Sequence, residues 1–82
     1  MTIVLLLGAD ASLVGEALER AGADGDVVVL DPSAGSLEEL ERSVPDPRLW
    51  YQIGDSEVVP LPDQSVDAAV GSGSSDVERV LR

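Results

Sequence analysis

Four carboxylates carry the chemistry open to this 82-residue chain: Asp10, Asp31, Asp55 and Glu57. Asp10 lies two residues past the glycine that ends a first apolar run, and Asp31 closes a second run. Asp55 and Glu57 follow a third run, beyond Gly54. Ionised carboxylates only accept hydrogen bonds. These positions therefore suit ligand hydroxyls and amines, or the chain's own backbone amides. Asp10 reads first as a helix cap, a role for which aspartate is strongly preferred. For Asp31, turn initiation by Asp31-Pro32 and ligand binding stand level.

The residue types that are missing narrow the field. The chain has no histidine, lysine or cysteine. This removes the imidazole base, the Schiff-base amine, the phosphate-loop lysine, the thiol nucleophile and most metal-ligand sets. Five arginines against sixteen acids give a net charge of −11. Such a field repels phosphate backbones, so nucleic acid is not an expected partner, whereas a cationic ligand or a basic protein surface is tolerated. Keeping the chain in solution is the plainest consequence of the charge. The longest apolar run is too short to span a bilayer and no charged segment precedes it. No membrane association is expected, and the cytoplasm is the expected location.

The elements that must position the acids follow from periodicity. Ile3-Val4-Leu5-Leu6-Leu7 and Val27-Val28-Val29-Leu30 are continuous apolar runs, as in strands buried on both faces of a parallel sheet. Between them Leu13, Val14, Ala17, Leu18 and Ala21 recur at helical spacing, with Asp10 or Ser12 to cap the start and Gly22 to stop the helix. Asp24-Gly25-Asp26 has turn chemistry. Ser36-Leu37-Glu38-Glu39 has the form of a capping box. It opens a helix with Leu37, Leu40 and Val44 inward, ending at Pro45. Leu49–Ile53 and Val66–Val70 read as a third and a fourth strand, and Ser75-Asp76-Val77-Glu78 as the start of a last helix.

In order, Gly54-Asp55, the prolines Pro60 and Pro62, and Val66-Asp67-Ala68-Ala69-Val70 resemble the third and fourth motifs of class I S-adenosylmethionine (SAM)-dependent methyltransferases, of the type 11 kind. The resemblance implies that Asp31, in the sequence Asp31-Pro32-Ser33, binds the cofactor's ribose. It implies that Asp55 accepts from the adenine amine, with the Ser56 and Glu57 amides near the ring. Asp67 would be a structural acid of the fourth strand. The family's acid-x-Gly-x-Gly-x-Gly loop falls on Leu6, Gly8, Asp10 and Ser12, so only Gly8 is kept. A side chain at the middle glycine obstructs close approach of the backbone to a cofactor. Asp10 also places negative charge at a helix N-terminus that would otherwise favour a ligand carboxylate. Gly71-Ser72-Gly73 reads as a short loop before an anion nest, and Tyr51 as core before a ligand contact.

The resemblance covers nearly all of residues 1–82, taken as one domain, and about half of the family's domain, which continues with a fifth strand and a hairpin. The expectation is therefore an α/β half-Rossmann domain of four mainly parallel strands in order 3-2-1-4, with two to three helices. Its first two helices share one face. On the other, the connection 54–65 and the last helix are expected to give too little cover. The first functional reading is a methyltransferase-like domain without cofactor or catalysis. It would act as a homodimer or with a protein partner that covers this face and the open edge of the fourth strand. The alternative is a minimal methyltransferase binding SAM through Gly8, Asp10, Asp31, Asp55, Ser56 and Glu57, its site completed by oligomerisation.

Overall fold

A computed structural model describes residues 2–55, 57–71 and 75–82, with Ser75 through its backbone alone. Three helices and four strands follow in order, with no helix among the described residues between the last two strands: β1 (Ile3–Leu7), α1 (Ala11–Ala21), β2 (Asp26–Asp31), α2 (Ala34–Ser43), β3 (Leu49–Ile53), β4 (Ala68–Val70) and α3 (Ser75–Val80). The strands form one parallel sheet in the order β3-β2-β1-β4. The expected architecture is thus the observed one. The two apolar runs occupy the centre, where both faces are covered: Val4, Leu5, Leu6, Val27 and Val29 are fully buried. Each such side chain contributes about 1.5–3 kcal/mol.

Strand alternation divides the core in two. Val4, Leu6, Val27, Val29, Leu49 and Val70 pack under Val14, Ala17 and Ala21 of α1 and Leu37 and Leu40 of α2. Both helices therefore lie on one face, as expected. Tyr51 packs against this layer, where burial, with Glu41 and Asp46 nearby, pushes its hydroxyl pKa up. On the opposite face Leu5, Leu7 and Leu30 are roofed by Val59 of the connection, by Val66, and by Val77 and Val80 of α3. This cover is better than expected over β1 and the end of β2, because the connection folds back to insert Val59. It stops short of β3, where Trp50 remains 60% exposed.

The helix ends follow local hydrogen bonding. Asp10 caps α1, accepting from the Ser12 amide, and at the other end the Gly22 N–H reaches Leu18 O with φ at +77°. A conformation of this kind favours glycine. α2 differs from expectation. Its cap is Ser33, whose Oγ accepts from the Ser36 N–H at 3.3 Å, so Ser36 sits inside the first turn and caps nothing. The helix begins earlier because Asp31 holds the Ser33 N–H at 2.8 Å, fixing the chain just before it. Ser33→Ala should therefore cost about 1 kcal/mol in urea unfolding, within the usual range for caps. Ser36→Ala should change stability by a few tenths at most.

The fourth strand is shorter than its apolar run. Asp67 takes both backbone and side chain to Ile3, its N–H donating to Ile3 O and its Oδ2 accepting from Ile3 N at 2.8 Å. The structural role expected of Asp67 thus has a concrete form. Val66 instead pairs with Leu81 in a parallel bridge. The expected flexible stretch 71–75 falls mainly on residues outside those described.

Candidate functional site

The ends of β1, β2 and β4 surround an open cleft of about 630 Å³, lined by Leu7, Gly8, Ala9, Asp10, Ala11, Leu13, Asp31 and Gly71. This is where open parallel sheets bind ligands, beyond the carboxyl ends of the strands. Gly8 leaves β1 with φ at +97°, a region that side chains rarely adopt. Gly71 forms the opposite wall with φ at +109°, and a Cβ there would stand 2.8 Å from Leu7 O. Two glycines therefore allow β1 and β4 to release the chain on either side of the cleft. Read from sequence, Gly71 belonged to a loop, and its lining role was missed. A glycine directly after a strand was the available signal.

The hydrogen bonds of the loop after β1 decide what the cleft can do. Gly8 N–H donates to Leu30 O at 2.7 Å, Ala9 N–H to Asp31 Oδ2 at 2.9 Å, and Asp10 N–H to Gly8 O at 2.9 Å. All three amides are thus engaged within the protein. Asp31 also holds Ser33 through its other oxygen, so its carboxylate joins the β1 loop to the start of α2. Each of its oxygens keeps a second lone pair, and a ligand hydroxyl remains a possible donor to it. Asp10 Oδ1 accepts from Ser12 N at 2.9 Å and Ser12 Oγ at 2.6 Å. The hydroxyl bond, and then the amide bond, hold its carboxyl below the ordinary aspartate value. An acid so stabilised is a poor proton acceptor at neutral pH.

Of the residues singled out from sequence, Gly8, Asp10 and Asp31 meet in this cleft. Asp55 and Glu57 do not line it. Asp55 Oδ1 accepts from the Glu57 N–H at 2.8 Å, and Asp55 pairs with Val58 in a small antiparallel bridge. Ser56 and Ser72-Gly73 lie outside the described residues. Leu6, where an acid would begin the glycine loop, is fully buried beneath the helices. Tyr51 lies beside α2, away from the cleft. Among the described residues no group of three or more acids is placed to hold a metal ion. No helix there is long and apolar enough to cross a membrane.

Comparison with known proteins sets this geometry in context. A family model described as a methyltransferase domain matches residues 5–81. The crystal structure of a SAM-dependent methyltransferase from Mesorhizobium loti is similar at a TM-score of 0.63 and 29% identity. The match covers 83% of this chain and 31% of that one. The chain therefore spans about a third of that relative's length. No curated protein matches.

Proposed function

Because the chain belongs to the methyltransferase-domain family, we propose that it uses the family's fold for association with another protein and not for methyl transfer. The observation that carries this reading is the closed hydrogen bonding of the β1 loop. The Gly8, Ala9 and Asp10 amides have internal acceptors, and the Asp10 carboxylate stands at the N-terminus of α1. A SAM carboxylate brought there would meet like charge at the helix end that would otherwise attract it. The fit to SAM is partial. Asp31 can still accept ribose hydroxyls, whereas the Gly8, Ala9 and Asp10 amides are already engaged at the amino-acid end. Asp55 and Glu57 are not among the residues lining the cleft, and Asp55 accepts the Glu57 amide.

The cleft itself favours a second reading, a SAM-binding domain whose site is completed by oligomerisation. Its volume of about 630 Å³ falls in the range of small-molecule sites. Titrating SAM and S-adenosylhomocysteine by calorimetry, with the mass in solution measured alongside, separates the two. The association reading expects no saturable heat at high protein concentration. Saturable micromolar binding that Asp31→Ala abolishes, by a chain that otherwise stays a monomer, would overturn it.

A further inference from the structure

The half of the second face left open by α3 has a definite chemistry. In the register of the sheet Leu5 stands beside Val28, and Val28 beside Trp50. Leu5 is fully buried, Val28 is half-buried, and Trp50 is 60% exposed. One row therefore passes from covered core to open aromatic surface. The row below places Ile3 beside Asp26, both half-buried. The resulting strip is Ile3, Val28 and Trp50 with one carboxylate among them. Asp55 and Glu57 stand just past the end of β3.

Each described arginine but Arg42 has an acidic partner of its own. Arg48, the residue before β3, is held by Asp46 and by Gly22 O. Arg79 is committed to Asp63 and Asp76, while Arg82 stands 3.7 Å from Asp67 and Arg20 3.8 Å from Glu16. Arg42 belongs to α2, the helix on the other face. A second copy would bring another −11 of charge and, in a two-fold arrangement, the same acids to the same place. A basic partner would bring the opposite sign.

We propose that the Ile3–Val28–Trp50 strip docks an amphipathic, basic helix of a partner protein. The partner's apolar stripe lies on Val28 and Trp50, and its lysines or arginines reach Asp26 and the exposed tryptophan ring. Parallel sheets are ordinarily covered by helices on both faces, and a cation over an indole adds to the attraction. The inference rests on the association reading and names the partner's chemistry.

Trp50 is the chain's only tryptophan, so its fluorescence reports this strip alone. The probe is a synthetic peptide with leucine and lysine at helical spacing, compared with the same peptide carrying glutamate for lysine. The lysine peptide should shift the emission to shorter wavelength and saturate, with affinity falling as salt rises. The glutamate peptide should do neither. By calorimetry, Trp50→Ala should weaken lysine-peptide binding by on the order of tenfold or more, as for a buried tryptophan anchor, and Asp26→Asn severalfold. A Glu38→Gln/Glu39→Gln variant, altered on α2, should bind as the parent does, which separates docking from mere attraction to an acidic protein. Circular dichroism of each variant checks that the fold persists. Equal loss in the α2 variant, equal binding of both peptides, or no binding would overturn the proposal. A blue shift on raising protein concentration alone, with doubled mass, would also overturn it, while leaving the association reading intact. A monomer that ignores the peptide and binds SAM would remove both.

Discussion

Gly25→Ala is expected to unfold most of the protein. A Cβ at this buried position would overlap the Ala21 carbonyl oxygen and lie 2.7 Å from both Ala21 C and Thr2 O. All of these are backbone atoms, held by α1 on one side and by the start of β1 on the other. The Asp26 N–H bond to Thr2 O, at 2.9 Å, forms beside them. Relief would require separating the end of α1 from the first rung of the sheet. Overpacking usually costs about 1–3 kcal/mol, and a clash confined to backbone belongs at or above the top of that range. A domain of this length has about 4–12 kcal/mol in all. Gly15→Ala is the control, since nothing lies within 4 Å of its Cβ position in the middle of α1. It should stabilise by about 0.5–1 kcal/mol through helix propensity and chain entropy. Urea unfolding of the two variants should thus show shifts of opposite sign. A Gly25→Ala midpoint equal to the parent's would refute the account of this corner.

Arg79→Met should release the roof over Leu5, Leu7 and Leu30 while leaving the helices of the other face in place. The guanidinium bonds Asp76 from α3, and Leu61 O and Val59 O from the connection, at 2.8–3.1 Å, and also pairs with Asp63. Asp76 in turn accepts the Val59 N–H. One side chain therefore ties a connection with no helix of its own to a helix of six residues, too short to persist alone. Amide exchange within α3 should accelerate at least about tenfold, as in local opening, with α1 little changed. Uniform acceleration in both helices would instead mean that Arg79 supports the whole fold.

Acid should act on the same contact. The Arg79 hydrogen bond, and then the Val59 amide, hold the Asp76 carboxyl below its ordinary value of 3.8. A depressed folded-state pKa contributes stability that is fully present above the unfolded value and lost as pH falls through the folded one. The roof should therefore keep this contribution above about pH 4 and lose it below. Arg79→Met should lose that part of the dependence.

What was legible in the sequence was whatever a single segment determines. Ile3–Leu7 and Val27–Leu30 read as central strands, because polar edges would break such runs, and two right-handed crossovers in one direction gave α1 and α2 their shared face. Capping was ambiguous where two serines competed. Ser36 had the better local pattern, but Asp31 fixes Ser33, and that bond depends on how the chain leaves β2. Gly8, Asp10 and Asp31, three of the residues the family's motifs single out, line one cleft, because the β1 loop and the end of β2 lie side by side. Asp55 and Glu57 follow an edge strand and enter a connection without periodicity. Nothing in their spacing revealed that Asp55 accepts the Glu57 amide. The roofing role of Val59 was hidden for the same reason.

The bridge between Val66 and Leu81 has a practical side. Val66 directs its N–H to Val80 O, and the Arg82 N–H returns to Val66 O. By alternation Ala68 and Val70 also direct their backbone groups away from β1. Residues joined after Arg82 would leave the surface already aligned with that row, in the direction of β4. An affinity tag or reporter placed there would begin as a candidate strand and could mask the edge. Labels meant to be inert belong elsewhere, and an exposed site in α2 such as Glu38 is a safer point of attachment.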